Sequence, residues 1–401
     1  MTDLLLRHAR VLDPVTGTYD ETDLRIADGD VVETGAGLTA PDVRTIDLRG
    51  RHVLPGLVDC HAHVVAASAD LSELRTWSRS YLAFRTAQNM GAMLDRGFTT
   101  VRDLGGADHG MARAQAEGLV RGPRLHFCGQ PLSQTGGHGD DRDPDDHHCW
   151  TTGVSRVADG VDEVRRAARD ELRKGAHHIK VMASGGVASP TDRIDSTQYS
   201  VDELVAVVEE AEAANRYVAA HAYTVRAVER ALRAGVRSIE HANLIDESVV
   251  PLFREREAFV VMNLVTYRAL QDEGREVGLP EASWRKVAEV LDGGYRALEL
   301  AHREGLRLCY GTDLLGPMQR HQSQELVIRG EVQPAIDVIR SATTTAAELL
   351  DRVGRVGTLR PGALGDLVVL DADPLEDLAV LTRPESVPYV VQGGRVEVDR
   401  T

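Results

Sequence analysis

The chain reads as an α/β protein, a (β/α)8 TIM barrel joined to a small β-sandwich made from both termini. Three observations lead there. Between residues 54 and 355, short apolar runs alternate with amphipathic stretches, the pattern of a parallel sheet whose strands are joined by crossover helices. The ends, 1–53 and 356–401, instead carry short alternating runs broken by turn residues. The 401 residues suffice for a barrel of about 250 residues or more plus a companion domain.

The N-terminal segment turns at Asp13-Pro14, Thr16-Gly17 and Asp28-Gly29-Asp30. Barrel strands are expected at 57–63, 99–104, 124–129, 178–182, 218–222, 238–241, 259–263 and 308–313. The helices between them carry their own signals. Val164, Ala167, Ala168 and Leu172 share a face ahead of Gly175. Ser200 and Glu203 form a capping-box pattern before Leu204, Val207, Val208 and Ala211. Thr224 precedes Val225, Val228 and Leu232, with Gly235 at the exit. The longest irregular stretch, 131–155, follows the third strand and should hang over the barrel's C-terminal mouth; loops of this length are functional lids or mobile segments. Beyond it, Leu367-Val368-Val369-Leu370, Tyr389-Val390-Val391-Gln392 and Arg395-Val396-Glu397-Val398 read as strands. Neither end is long enough to fold alone, so a composite sandwich is the economical solution.

The formal net charge of −16 argues against a nucleic-acid partner and against adsorption to anionic membranes. No apolar run approaches the roughly 18 residues of a spanning helix, and the first residues lack a signal peptide's apolar core. Cys60, Cys128, Cys149 and Cys309 have no CxxC spacing. The expectation is a cytoplasmic protein without disulfides, acting on a small molecule.

Chemistry concentrates at strand ends, where barrel enzymes place their sites. His61 and His63 lie two apart, so both project from one strand face. Lys180, His221, His241 and Asp313 end four later apolar runs. A protonated lysine cannot ligate a metal. Desolvation beside cations can free its amine to react with CO2, giving a carbamate able to bridge two ions. Two divalent ions, Zn2+ or alternatively Mn2+, Co2+ or Fe2+, would then share a hydroxide and polarise a carbonyl. His61, His63 and Asp313 would hold one ion, and His221 and His241 the other. Asp313 would also accept the hydroxide's proton and return it to the leaving amine. Asp103 and Glu240 read as structural, and His147-His148-Cys149 as a solvated loop.

Leu54-Pro55-Gly56-Leu57-Val58-Asp59-Cys60-His61-Ala62-His63, Gly97-Phe98-Thr99-Thr100-Val101-Arg102-Asp103, Ile239-Glu240-His241, Gly311-Thr312-Asp313 and the ending 362–371 closely resemble the amidohydrolase superfamily. Residues 179–187, His221-Ala222-Tyr223-Thr224 and the loop 131–140 are similar to its binuclear, carbamylated-lysine branch. That branch contains Xaa-Pro dipeptidases, Xaa-Arg and Xaa-Lys carboxypeptidases, and ochratoxin, arylurea and thiocarbamate hydrolases. The resemblance implies that Tyr223 stabilises the oxyanion of the attacked carbonyl, that His138 reaches toward a substrate carboxylate, and that the chain assembles as a homo-oligomer. It departs from the branch at Gln319–Glu325, where relatives often carry a His-Gly-x-Asn type loop. The expected activity is hydrolysis of an amide in a dipeptide or N-acyl amino acid. The alternative is an arylurea, carbamate or ester substrate at the same binuclear site. Imidazolonepropionase-like opening of a cyclic amide, or deamination, ranks below both, because the His-x-x-Glu pattern common in deaminases is absent after His221.

Overall fold

The computed structural model describes residues 3–140, 142, 154–187, 189, 192–279 and 281–401. Both termini enter one eight-stranded sheet, ordered Arg395–Asp399, Tyr389–Gln392, Leu367–Leu370, His52–Pro55, Leu4–Asp13, Thr18–Ala27, Asp30–Gly35, with Arg44–Asp47 also paired to Leu4–Asp13. Alternation sorts its side chains to two faces. Leu4, Leu6, Leu24, Val53, Leu367, Val369 and Val391 form one apolar cluster. Leu54, Val368, Leu370 and Val390 turn the other way and pack with Leu57 and Phe98 of the neighbouring parallel sheet. Asp28 and Gly29, both at positive φ, make the tight turn between the second and third strands.

The expected parallel strands are present, but their ladder does not run unbroken around a closed barrel. Leu57–Ala62, Phe98–Asp103 and Arg124–Phe127 form one sheet; Ile179–Met182, Val218–Thr224, Ser238–Leu244, Phe259–Met262 and Arg307–Tyr310 lie in a second, extended at one edge by Leu132–Ser133 and Arg156–Val157. The two arcs meet through a few backbone links rather than a strand ladder. His177 N donates to Phe127 O at 2.9 Å, and Asp313 N to His61 O at 2.8 Å. The first break falls where the chain leaves the third strand toward Pro131, which has no N–H to give to a ladder. The fold is thus α/β with parallel sheets.

Helices cover these strands where the local code directs. Ser200 and Glu203 complete a reciprocal capping box on Val201–Ala213, whose Leu204, Val207, Val208 and Ala211 are buried. The Thr224 side chain accepts from Ala227 N to start Val225–Arg233, and Gly235 ends it at φ +98°. Among the described residues no helix is long and apolar enough to cross a membrane.

Candidate metal centre

Parallel pairing sets the depth of each side chain. Met182 pairs with His221, and His221 with Glu240, so Lys180, opposite Ala219, lies two residues deeper than His221. Only about 2% of Lys180 is exposed. His241 follows Glu240 directly, and simple alternation would turn one of the two away from the cavity. His241 instead adopts φ +74°, and Asp313 φ +52°. Left-handed backbone is costly for residues with a Cβ and concentrates at functional sites.

These side chains converge on one cavity of about 330 Å3, lined by His61, His63, His138, Lys180, His221, Tyr223, His241 and Asp313. Donor atoms of His61, His241 and Asp313 all lie within 4.8 Å of one another. Asp313 Oδ1 is 3.1 Å from His63 Nε2 and 3.3 Å from His61 Nε2. Ligands tetrahedrally placed around one zinc-sized ion stand roughly 3.3–3.5 Å apart, so this set fits a divalent ion. The other candidates are nearby but less compact. The His221 ring centroid is 4.5 Å from that of His241, and its Nε2 donates to Gly185 O at 3.0 Å. His138 stacks on His221 at 4.3 Å. Lys180 makes no hydrogen bond or ion pair among the described residues.

Electrostatics favour the ligating forms of His221, His241 and Asp313, whereas at His63 burial is outweighed by Asp313, which raises the imidazole above its ordinary value. Burial pushes His221 and His241 well below the ordinary histidine value, leaving neutral imidazoles. Burial alone would raise Asp313, but His61 and His63 outweigh it and hold the carboxylate ionised. Burial lowers Lys180 to about 8, against the opposing pull of Glu240 and Asp313.

Glu240 and Asp103, which the sequence reads as structural, support the site, together with Asn263 and Tyr267, which it did not single out. Glu240 receives His61 Nδ1–H at 2.9 Å and Arg102 Nη2 at 2.7 Å, all three side chains being buried, so it orients a candidate ligand. Asp103 accepts from the backbone of Val64, Gly105 and Ala107 and shapes the turn beside His63. Asn263 Oδ1 and the Tyr267 hydroxyl lie 3.1 and 3.0 Å from His241 Nδ1. Of these, Glu240 and Asp103 carried a signal, as carboxylates beside a strand-end histidine and near the end of the second strand, whereas Asn263 and Tyr267 carried none.

The irregular segment after the third strand contributes His138, Gly139, Val154 and Ser155 to the cavity wall; His147, His148 and Cys149 lie outside the described residues. The divergent segment Gln319–Glu325 acts as a brace. Gln319 donates to the carbonyls of His63 and Ala66, Gln322 to Asp59, and His321 faces Glu273 at 2.7 Å.

Residues 52–396 match the model of the amidohydrolase family. The chain belongs to that family. Ochratoxinase of Aspergillus niger is 34% identical over 364 residues, covering 86% of this chain and 75% of that protein. Among solved structures, a prolidase complexed with N-methylphosphonate-L-proline superposes with a TM-score of 0.97 and 47% identity, each chain covered completely. A Xaa-Pro dipeptidase with methionine bound in its active site gives a TM-score of 0.89 at 28% identity, with 98% of this chain and 99% of that one covered. This amidohydrolase is therefore a hydrolytic enzyme acting on small molecules, from a family that generally binds divalent metals.

Proposed function

We propose that this amidohydrolase cleaves the amide bond of a dipeptide or N-acyl amino acid, in the manner of a Xaa-Pro dipeptidase, with two divalent ions bound. One observation carries the reading: all eight candidate residues line a single cavity in a chain 47% identical, end to end, to a prolidase. His61, His63 and Asp313 would hold one ion, His221 and His241 the other, and carbamylated Lys180 would bridge them. When bound, zinc or a similar ion supplies an activated water and polarises the carbonyl.

The protein's own groups do the rest. The Asp313 carboxylate takes the proton of the attacking water and returns it to the leaving nitrogen. Tyr223 donates to the carbonyl oxygen as negative charge develops. His138, at the cavity wall, meets the substrate's terminal carboxylate. Val65, Leu71, Val187, Leu270, Leu279 and Leu315 give the cavity an apolar wall suited to an apolar acyl side chain.

The same reading makes the two parallel sheets arcs of one (β/α)8 barrel at 54–355, flanked by a sandwich of 1–53 and 356–401. It also makes the protein a cytoplasmic homo-oligomer, in keeping with the free, buried thiols of Cys60, Cys128 and Cys309.

The test is turnover of metal-loaded enzyme on Xaa-Pro dipeptides, N-acyl amino acids and arylureas, beside Asp313→Asn. Cleavage of free-acid dipeptides, lost by orders of magnitude in Asp313→Asn, is expected. Arylurea turnover with no dipeptide or N-acyl amino acid cleaved would replace the peptidase reading with the urea or carbamate one.

A further inference from the structure

At the opposite ends of the parallel strands from the histidine–aspartate cluster lies a second polar cavity, of about 160 Å3. Its walls come from the strand Arg124–Phe127, from the residues preceding Ile179–Met182 and Val218–Thr224, and from the chain just after the helix Thr344–Leu349. His126, His177 and Arg352 also line an adjoining groove of about 790 Å3 that runs to Arg124 and Gly393 of the terminal sheet.

Positive groups here outnumber the carboxylates that could neutralise them. Arg237 takes Asp351, at 2.8 and 2.9 Å. Arg307 takes Glu348 at 2.5 Å. Arg216 then hydrogen-bonds only its neighbour's carbonyl, Asn215 O at 3.3 Å. The Arg352 guanidinium makes no hydrogen bond or ion pair among the described residues. The His126 ring likewise has no hydrogen bond there and lies against His177, centroids 4.9 Å apart. His177 Nδ1 accepts from Phe127 N, which leaves its proton on Nε2. Behind them His178 is fully buried with neither ring nitrogen hydrogen-bonded.

The crowding is felt electrostatically. Burial, then His177, Arg352, Arg102 and Arg216, bring His126 down to about 3. Such a cluster is out of character for a chain of net charge −16. Two unmatched guanidiniums and two neutral imidazole donors around a small cavity suit a tetrahedral oxyanion, which guanidinium forks bind in bidentate fashion.

We propose that this cavity is a binding site for a phosphate-type oxyanion, held by Arg216 and Arg352 with His126 and His177 as further donors. The ligand is either free phosphate or the phosphate group of a small ester, whose remainder would lie in the adjoining groove.

The experiment measures the Tm of the metal-loaded protein in inorganic phosphate, in glycerol 2-phosphate and in sodium chloride at equal ionic strength. Phosphate near ~10 mM should raise Tm by about 1–3 °C over chloride for a millimolar site. Arg216→Ala/Arg352→Ala should abolish the rise, while its Tm in chloride is no lower than wild type, since both side chains are exposed and unmatched. A rise with both phosphates assigns the groove to the ester; a rise with inorganic phosphate alone assigns the site to the free ion. No rise over chloride, or a rise that survives the double substitution and so belongs at the histidine–aspartate cluster, overturns the proposal.

Discussion

The Tyr267 hydroxyl lies 2.8 Å from that of Tyr223, inside the cavity wall and away from solvent. Tyr267 is also 3.0 Å from His241 Nδ1. If His241 ligates through Nε2, its Nδ1 carries the proton, which Asn263 Oδ1 and the Tyr267 hydroxyl share as acceptors. Tyr267 then donates to Tyr223, and the Tyr223 proton is left for the substrate oxygen. Tyr267→Phe breaks this chain without removing a candidate ligand. Losing one buried hydrogen bond of about 1–2 kcal/mol predicts a roughly 5–30-fold fall in kcat, with KM changed less and metal content intact. Unchanged kcat in a metal-replete Tyr267→Phe enzyme would show that Tyr223 needs no such orientation.

Glu240 joins two buried groups, Arg102 at 2.7 Å and His61 at 2.9 Å. Its carboxylate is held well below the ordinary range: burial raises it, and Arg102 with His61 more than compensates. Glu240→Gln leaves the Arg102 charge buried without its anion, which costs about 3–5 kcal/mol of stability. It also removes the acceptor that fixes the His61 ring, so metal affinity should fall roughly 10–100-fold. Denaturant titration of the apo protein reads the first effect and chelator competition the second. Wild-type values in both would reduce Glu240 to a bystander.

Lys180 at about 8 has an amine far more available than an ordinary lysine at 10.5. At pH 7.5 roughly a quarter of it would be free, against about a thousandth for the unshifted group. Reconstitution of apo enzyme should therefore need bicarbonate and run faster at pH 8.5 than at 6.5, reaching two ions per chain. Lys180→Ala should bind at most one ion and lose the bicarbonate dependence. Two tightly bound ions in Lys180→Ala would eliminate the bridge.

The placement of the candidate ligands at strand ends was legible because apolar runs and their terminating polar residues survive in one dimension. His61, His63, His221 and Asp313 all lie within or just beyond the strands on which the sequence puts them. What depends on backbone conformation was not legible. Glu240 and His241 are consecutive, and period-two alternation assigns them to opposite faces; only φ +74° at His241 lets both serve one site. Tyr267 and Asn263 enter at the start of the helix Leu264–Glu273, where a single aromatic has no periodic signature. Nor could strand counting reveal the breaks in the sheet ladder, which arise from local loop paths around Pro131 and Asp313.

Gly186 lies against His138. A Cβ there would fall 2.1–2.5 Å from three atoms of the imidazole, far inside van der Waals contact. The glycine's φ is not in the left-handed range, so alanine is tolerated by the backbone and its effect is steric. Gly186→Ala should therefore push the His138 ring from its stack on His221, at a stability cost of about 1–3 kcal/mol. If His138 meets the substrate carboxylate, KM for a free-acid dipeptide should rise about 10–100-fold while kcat falls less. The corresponding dipeptide amide, already lacking that contact, should lose little, and His138→Asn should reproduce the pattern. Metal analysis of the variant separates this from damage to His221, which would appear as lost metal. Equal losses on acid and amide, with metal retained, would show that His138 does not read the carboxylate.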